Sequence, residues 1–96
     1  MNPYSVNKLP LDVLRETAAK HQALRKHLGL SQVDLADRAG VSVGSLRRFE
    51  QTGEISFASL LRLSHVLHRL EDFEQLFDLP ENLERIEKLF AKTVEE

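Results

Sequence analysis

The chain has 96 residues, of which 42% are hydrophobic and 29% are charged; it contains no cysteine and has a formal net charge of −2. A chain of this length encloses one hydrophobic core, so a second catalytic domain is excluded. The lack of cysteine excludes disulfides, thiolate zinc sites and cysteine nucleophiles. No apolar run approaches the ~20 residues that span a bilayer, and residues 1–10 lack the pattern of an export signal, so we expect a cytoplasmic protein.

The charges are unevenly distributed along the chain. Residues 1–53 carry a formal charge of +3, whereas residues 54–96 carry a formal charge of −5. Such asymmetry indicates that the first half faces phosphates, while the second half stays away from them or meets a different partner. The small net charge therefore conceals a basic region that suits a polyanion.

The first predicted helix runs from about residue 11 to residue 28. Leu14, Ala18, His21 and further apolar residues recur at steps of three and four, which places them on one helical face. Gly29 can adopt the left-handed conformation that ends a helix. His21 is expected to pack between helices rather than to act as a base.

Two short helices are predicted next, each with a start and a stop signal. Ser31 and Ser42 can cap their N-termini, because a serine hydroxyl accepts a hydrogen bond from a backbone N–H of the first turn. Gly40 and Gly53 follow the last apolar residue of each helix and can end it.

The rest of the chain also shows helical periodicity. Ser56 can cap a fourth helix, whose apolar stripe extends over residues 57–70, and residues 73–77 continue in a brief turn or helix. Pro80 can occupy a place at or near the first position of a last helix. Because no segment alternates apolar and polar residues for long, we predict an all-α fold of five or six helices.

The segment from residue 28 to residue 50 has the spacing of a helix-turn-helix. Two helices of about eight to ten residues are joined by a tight turn at Gly40, and in such units the second helix enters the major groove of DNA. The residues expected to hold the angle between the helices are Leu35, Ala36, Val41, Leu46 and Phe49. The outward residues of the second helix, which would read DNA, are Val43, Gly44, Ser45, Arg47 and Arg48.

Three motifs occur here in order: Gly-Leu-Ser-Gln at residues 29–32, Leu-Ala-x-x-Ala-Gly-Val-Ser at residues 35–42, and Phe-Glu at residues 49–50 shortly before a glycine. Together they resemble the XRE family of phage-repressor-like transcriptional regulators, over residues 20–68. The resemblance implies a helical bundle of the lambda-repressor-like type. We expect one domain over residues 1–96, with a core module at about 11–70 and a C-terminal helical extension at about 71–96.

The resemblance also implies roles for individual residues. In this family the residue matching Gln32 contacts the sugar-phosphate backbone and sometimes a base. Phosphate contacts are implied for Ser42 and Ser45, and base contacts for Val43, Gly44 and Arg48. Arg48 could donate two hydrogen bonds to guanine, and Val43 could pack against a thymine methyl group.

Two further implications concern the recognition helix itself. A buried ion pair between Arg25 and Glu50 is implied, which would fasten the first helix to the end of the recognition helix. Gly44 stands where the family often has a long polar side chain. We therefore expect few direct base contacts and a correspondingly larger contribution from the readout of DNA shape.

The C-terminal third carries more apolar surface than a small bundle readily hides, which indicates a homodimer seam or a docking face. The residues expected to form this face are Phe73, Leu76, Phe77, Leu83, Ile86 and Phe90. Residues 54–77 are similar to HipB-like antitoxins, which act beside a HipA-type kinase toxin. This second resemblance implies a dimer that represses its own operon on a palindrome and neutralises the toxin.

Other interpretations stay open from the sequence. The net charge of −2 would suit a protein-interaction module that keeps this fold without binding DNA. Arg47 and Arg48 could be part of a solvated face. His65 and His68 have a spacing that could ligate a metal, but no further ligand cluster accompanies them, so we expect no metal and no cofactor. An enzyme is the least favoured reading, since no paired acid and base stand out.

Overall fold

The computed structural model describes residues 8–95, and the side chains of residues 8–91. Within that range it contains six helices and no strand: α1 (Pro10–His27), α2 (Gln32–Ala39), α3 (Val43–Thr52), α4 (Phe57–Val66), α5 (Glu71–Glu74) and α6 (Leu83–Glu95). The predicted all-α bundle is confirmed. None of these helices has both the length and the apolar character needed to cross a membrane.

Local sequence signals set the bounds of α2, α3 and α4. The hydroxyls of Ser31, Ser42 and Ser56 each accept a hydrogen bond from the backbone N–H three residues later, at 3.0–3.1 Å. Gly40 and Gly53, with φ of 67° and 84°, end α2 and α3 in the left-handed conformation. Each cap stabilises its helix by ~1 kcal/mol, so local sequence signals specify where the turn between α2 and α3 lies.

The core lies where α1, α2, α3 and α4 meet. Its buried hydrophobic residues are Ala18, Leu35, Ala36, Val41, Leu46, Phe49, Leu63 and Leu67. Helix α3 packs against α1 and α2, and α2 also packs against α4. All five residues predicted to hold the angle of the helix-turn-helix belong to this cluster, so the direction of α3 is fixed by close packing.

The prediction of one apolar helical stripe over residues 57–70 is wrong at its C-terminal end, whereas its start is confirmed, with Ser56 as the N-cap and Phe57 as the first residue of α4. Helix α4 stops at Val66, and its C-terminus is closed by hydrogen bonds from the N–H groups of His68 and Arg69 to the carbonyls of His65 and Ser64. This is the Schellman arrangement, with His68 at φ 59° in the position that glycine usually occupies. No glycine marks this helix end in the sequence. Phe57, at the start of the stripe, is exposed.

The predicted place of Pro80 is also wrong. Helix α6 begins at Leu83, and the carbonyl of Asn82 accepts the first hydrogen bonds, from the N–H groups of Arg85 and Ile86. Pro80 therefore lies in the connection before the helix. No other helix in residues 8–95 packs extensively against α6, and the molecule is elongated, with dimensions of 51 × 26 × 24 Å.

Gly53 lies against the backbone of α1. A Cβ atom at this position would lie 2.7–2.8 Å from the carbonyl carbon, carbonyl oxygen and Cβ of Leu14, closer than real Cβ contacts come. Gly29 also has a positive φ, of 74°, but a Cβ there would meet nothing within 4 Å. The two glycines thus share a backbone requirement and differ in steric contact.

We expect Gly53→Ala to lower the free energy of unfolding by clearly more than Gly29→Ala. In the Gly29 variant the only cost is the strain of an alanine in the left-handed conformation, ~1–2 kcal/mol. In the Gly53 variant the new Cβ also clashes with Leu14 of α1, so the total loss of stability is roughly 3 kcal/mol or more. Urea denaturation of both variants measures the difference. Equal losses would show that α1 can move away from α3 at no cost, contrary to this contact being a constraint.

Candidate nucleic-acid interface

The outer surface of α3 carries most of the residues predicted to read DNA. Gly44, Ser45, Arg47 and Arg48 are exposed along it. Val43, predicted to point outward, is only half-exposed, because part of its side chain packs against the core. Outward reach on this helix is therefore concentrated in the two arginines.

A buried bidentate ion pair fixes the end of α3. Arg25 of α1 donates through Nε and Nη2 to the two carboxylate oxygens of Glu50, at 2.7 and 3.0 Å. The third contact of the guanidinium is a 2.8 Å hydrogen bond from Nη1 to the carbonyl of Leu30, just before α2. The side chains of Arg25 and Glu50 are 7% and 2% exposed. The pair implied by the resemblance is thus present, and it ties α1, α2 and α3 together.

A chain of polar side chains leads from this ion pair to the surface. Gln32, at the first position of α2, donates from Nε2 to Oε1 of Glu50 at 2.9 Å. Arg47 donates from Nε to Oε1 of Gln32 at 3.3 Å. The carboxylate therefore orients the amide of Gln32, and the amide oxygen in turn holds Arg47. Sequence reasoning gave Gln32 a DNA contact but missed this link, which joins residues 15 and 18 positions apart.

The surroundings of Glu50 keep its carboxylate ionised. Burial alone would raise the pKa of Glu50, but the hydrogen bonds from Arg25 and Gln32, the positive charge of Arg25 and a hydrogen bond from Gln22 outweigh it and lower the pKa below its usual value. The pair therefore stays charged wherever the protein is folded near neutral pH.

Arg48 is held in a different way. Its Nη2 donates to a carboxylate oxygen of Glu54, in the connection between α3 and α4. The two side chains are 68% and 57% exposed, so the pair contributes no more than ~1 kcal/mol. Glu54 was missed from the sequence, because nothing in its local pattern shows that the loop turns back along α3.

The N-terminus of α3 presents two hydroxyls side by side. Ser42 donates to the hydroxyl of Ser45 at 2.8 Å, and the same Ser42 oxygen caps the helix by accepting from the Ser45 N–H. Both residues are exposed. Helix N-termini favour negative charge because of their free N–H groups and dipole, so this end of α3 suits a phosphate.

His21 lies beneath the recognition helix. Its ring meets that of Phe49 edge-on, with centroids 5.2 Å apart. Both ring nitrogens are buried without a hydrogen-bond partner among the described residues. Burial lowers the pKa of His21, as does the charge of Arg25, against an opposing effect of Glu50. The imidazole therefore packs as a neutral aromatic ring.

The residues predicted to form a partner face lie away from this surface. Phe73, Leu83 and Ile86 are half-buried, whereas Leu76, Phe77 and Phe90 are exposed. Phe73 meets the ring of Phe57 edge-on, with centroids 5.9 Å apart, so part of its surface is already used within the chain. Phe77 is 97% exposed.

Comparison with known proteins gives one match. Residues 22–72, just over half of the chain, match a helix-turn-helix family. The matched range contains the whole of α2 and α3, and it also contains Arg25 of α1. Searches of curated proteins and of solved structures gave no significant match.

We expect Glu50→Gln to lower the free energy of unfolding by ~3–5 kcal/mol, because it leaves the buried Arg25 guanidinium without a counter-charge. Glu54→Gln is the matched control, since it makes the same chemical change in an exposed pair and should cost less than ~1 kcal/mol. Chemical denaturation at pH 7 measures both. A similar small loss in both variants would show that water reaches Arg25 and that the pair does not anchor α3.

We expect the protein to lose stability as the pH falls below about 6.5, through His21. The folded pKa of His21 is lowered, so the unfolded chain binds a proton in a pH window where the folded chain does not. The free energy of unfolding therefore decreases as the pH is lowered, until the pH falls below the folded pKa of His21. His21→Leu should reduce the difference in unfolding free energy between pH 7.5 and pH 5.5. An unaltered difference would assign the pH dependence to other groups.

Proposed function

We propose that this chain, which belongs to the XRE-type helix-turn-helix family of DNA-binding regulators, represses transcription as a homodimer on a pseudo-palindromic operator. The observation that carries the proposal is the outer edge of α3. There Arg47 and Arg48 project from a helix that the core and the buried Arg25–Glu50 pair hold in place. Two such helices in a dimer would meet half-sites about 34 Å apart.

The two arginines receive different roles in this proposal. Arg48 reads a base edge, because a guanidinium forms two parallel hydrogen bonds with guanine, a better acceptor geometry than the exposed Glu54 offers. Arg47, Gln32, Ser42 and Ser45 contact phosphates. The space beside Gly44 is open, since a Cβ there would meet nothing within 4 Å, so the backbone of α3 could approach the bases closely. Val43 contributes at most a methyl contact.

For the biological setting we favour an antitoxin that represses its own operon and binds a HipA-type kinase toxin. Its support is the resemblance of residues 54–77 to HipB-like antitoxins, together with the exposed apolar residues of the proposed C-terminal extension at about 71–96. Co-expression with the kinase gene of the same operon tests it, since co-purification of the two proteins is expected. A kinase that elutes alone would remove the antitoxin role and leave the repressor.

We expect Arg48→Ala to reduce the preference for operator over scrambled DNA by about 5- to 150-fold, the loss of one bidentate base contact. Arg47→Ala should weaken binding to both DNAs alike and make the salt dependence shallower by about 0.9 in log–log slope. Arg85→Ala, which removes the same charge from α6, is the control. Fluorescence anisotropy with DNA from upstream of the protein's own gene, at two salt concentrations, measures all three.

Two outcomes of that experiment would contradict the assignment. An unchanged preference in the Arg48 variant would remove this residue from the set that reads bases. Wild-type binding no tighter to upstream DNA than to scrambled DNA would favour the alternative function, an interaction module that has the helix-turn-helix fold but does not recognise an operator.

A further inference from the structure

A groove runs between α1, the C-terminal half of α4 and α5. Its volume is about 470 Å³, and its apolar lining comes from Leu24, Leu60, Leu67, Phe73 and Leu76. Exposed Lys20 and Arg69 also line it. The groove is open because α5 has only four residues and covers little of the surface between α1 and α4. Leu24 and Leu60 remain half-exposed as a result.

Helix α6 has the complementary surface. Leu83, Ile86 and Phe90 follow each other at i, i+3 and i+7 and so share one face of this 13-residue helix. Phe90 is 67% exposed. Glu84 and Glu87 are exposed on the flank of that face. Asp72 also lines the groove and pairs with Arg69 at 2.9 Å, so Lys20, Arg69 and Asp72 together give the lining a formal charge of +1. This charge is opposite in sign to that of the acidic flank of α6.

We propose that α6 of a second copy of this chain occupies the groove, while α6 of the first copy occupies the groove of the second. The proposal rests on the homodimer proposed above and assigns its contact surface. The apolar face of α6 would cover Leu24 and Leu60, and Glu87, next to that face, would lie opposite Lys20. The volume of the groove suits two or three large side chains, the number that one face of α6 presents.

The connection before α6 favours exchange over return to the same groove. Residues 77–82 join Leu76, at the groove, to α6; within them Phe77 has a left-handed φ of 64° and Pro80 restricts the backbone. No other helix among residues 8–95 packs extensively against α6, so these residues carry it away from the bundle. Exchange of an identical element between two copies closes a two-fold dimer and forms each contact twice.

Disulfide trapping distinguishes exchange from return. The chain has no cysteine, so Thr17→Cys in the groove and Phe90→Cys on α6 can be combined in one chain and oxidised. We expect a covalent dimer on a non-reducing gel. A covalently closed monomer would show that α6 returns to its own groove and would overturn the proposal. The control combines Thr17→Cys with Lys88→Cys, on the side of α6 opposite its apolar face; equal dimer yield from both pairs would also overturn the proposal.

Sedimentation velocity gives an independent test. Ile86→Glu should raise the dimer dissociation constant by about 30-fold or more, as loss of a central apolar contact does. Lys88→Glu also introduces a negative charge, on the opposite side of the same helix, and should leave the constant unchanged. If the Ile86 variant dimerises like the wild type, another surface forms the dimer, so this proposal fails while the homodimer stands. A wild type that is monomeric at all concentrations overturns both, and DNA binding is still judged separately by anisotropy.

Discussion

The buried pair of Arg25 and Glu50 is the interaction on which the rest of the recognition surface depends. A buried ion pair is a weak source of net stability, because desolvation of the two charges offsets most of their attraction. Its value here is geometric, since the bidentate contact and the third hydrogen bond to Leu30 leave little rotational freedom. The same carboxylate orients Gln32, so one charge in the core determines the direction of a polar group at the surface.

The apolar core and the chain of polar side chains hold different parts of α3 in place. Leu46 and Phe49 fix the helix as a rigid body, whereas the chain through Gln32 restricts a single exposed side chain, Arg47. Arg48 lies outside this chain and has a carboxylate partner that water and DNA can both reach. Arg47 is therefore held by a neutral amide, whereas Arg48 is held by a single exposed carboxylate.

The parts of the fold that follow from local signals could be predicted from the sequence. Serine caps, glycine stops and the inward spacing of five apolar residues gave α2, α3 and their angle. The end of α4 could not be predicted, because His68 adopts the left-handed conformation, which the residue type histidine does not indicate. Glu54 was missed, and Val43 was placed too far outward. The position of Glu54 and the exposure of Val43 both depend on how the chain folds back in three dimensions, which the hydrophobic periodicity of the sequence does not indicate.

The close approach of Gly53 to Leu14 determines how near the C-terminus of α3 lies to α1. The atoms of Leu14 nearest to this point are its carbonyl group and its Cβ, which no change of rotamer can move away. The core residues fix the direction of α3 by packing, whereas Gly53 fixes how closely its C-terminus approaches α1. A larger residue at position 53 would therefore push the end of α3 away from α1 even if every core residue were unchanged.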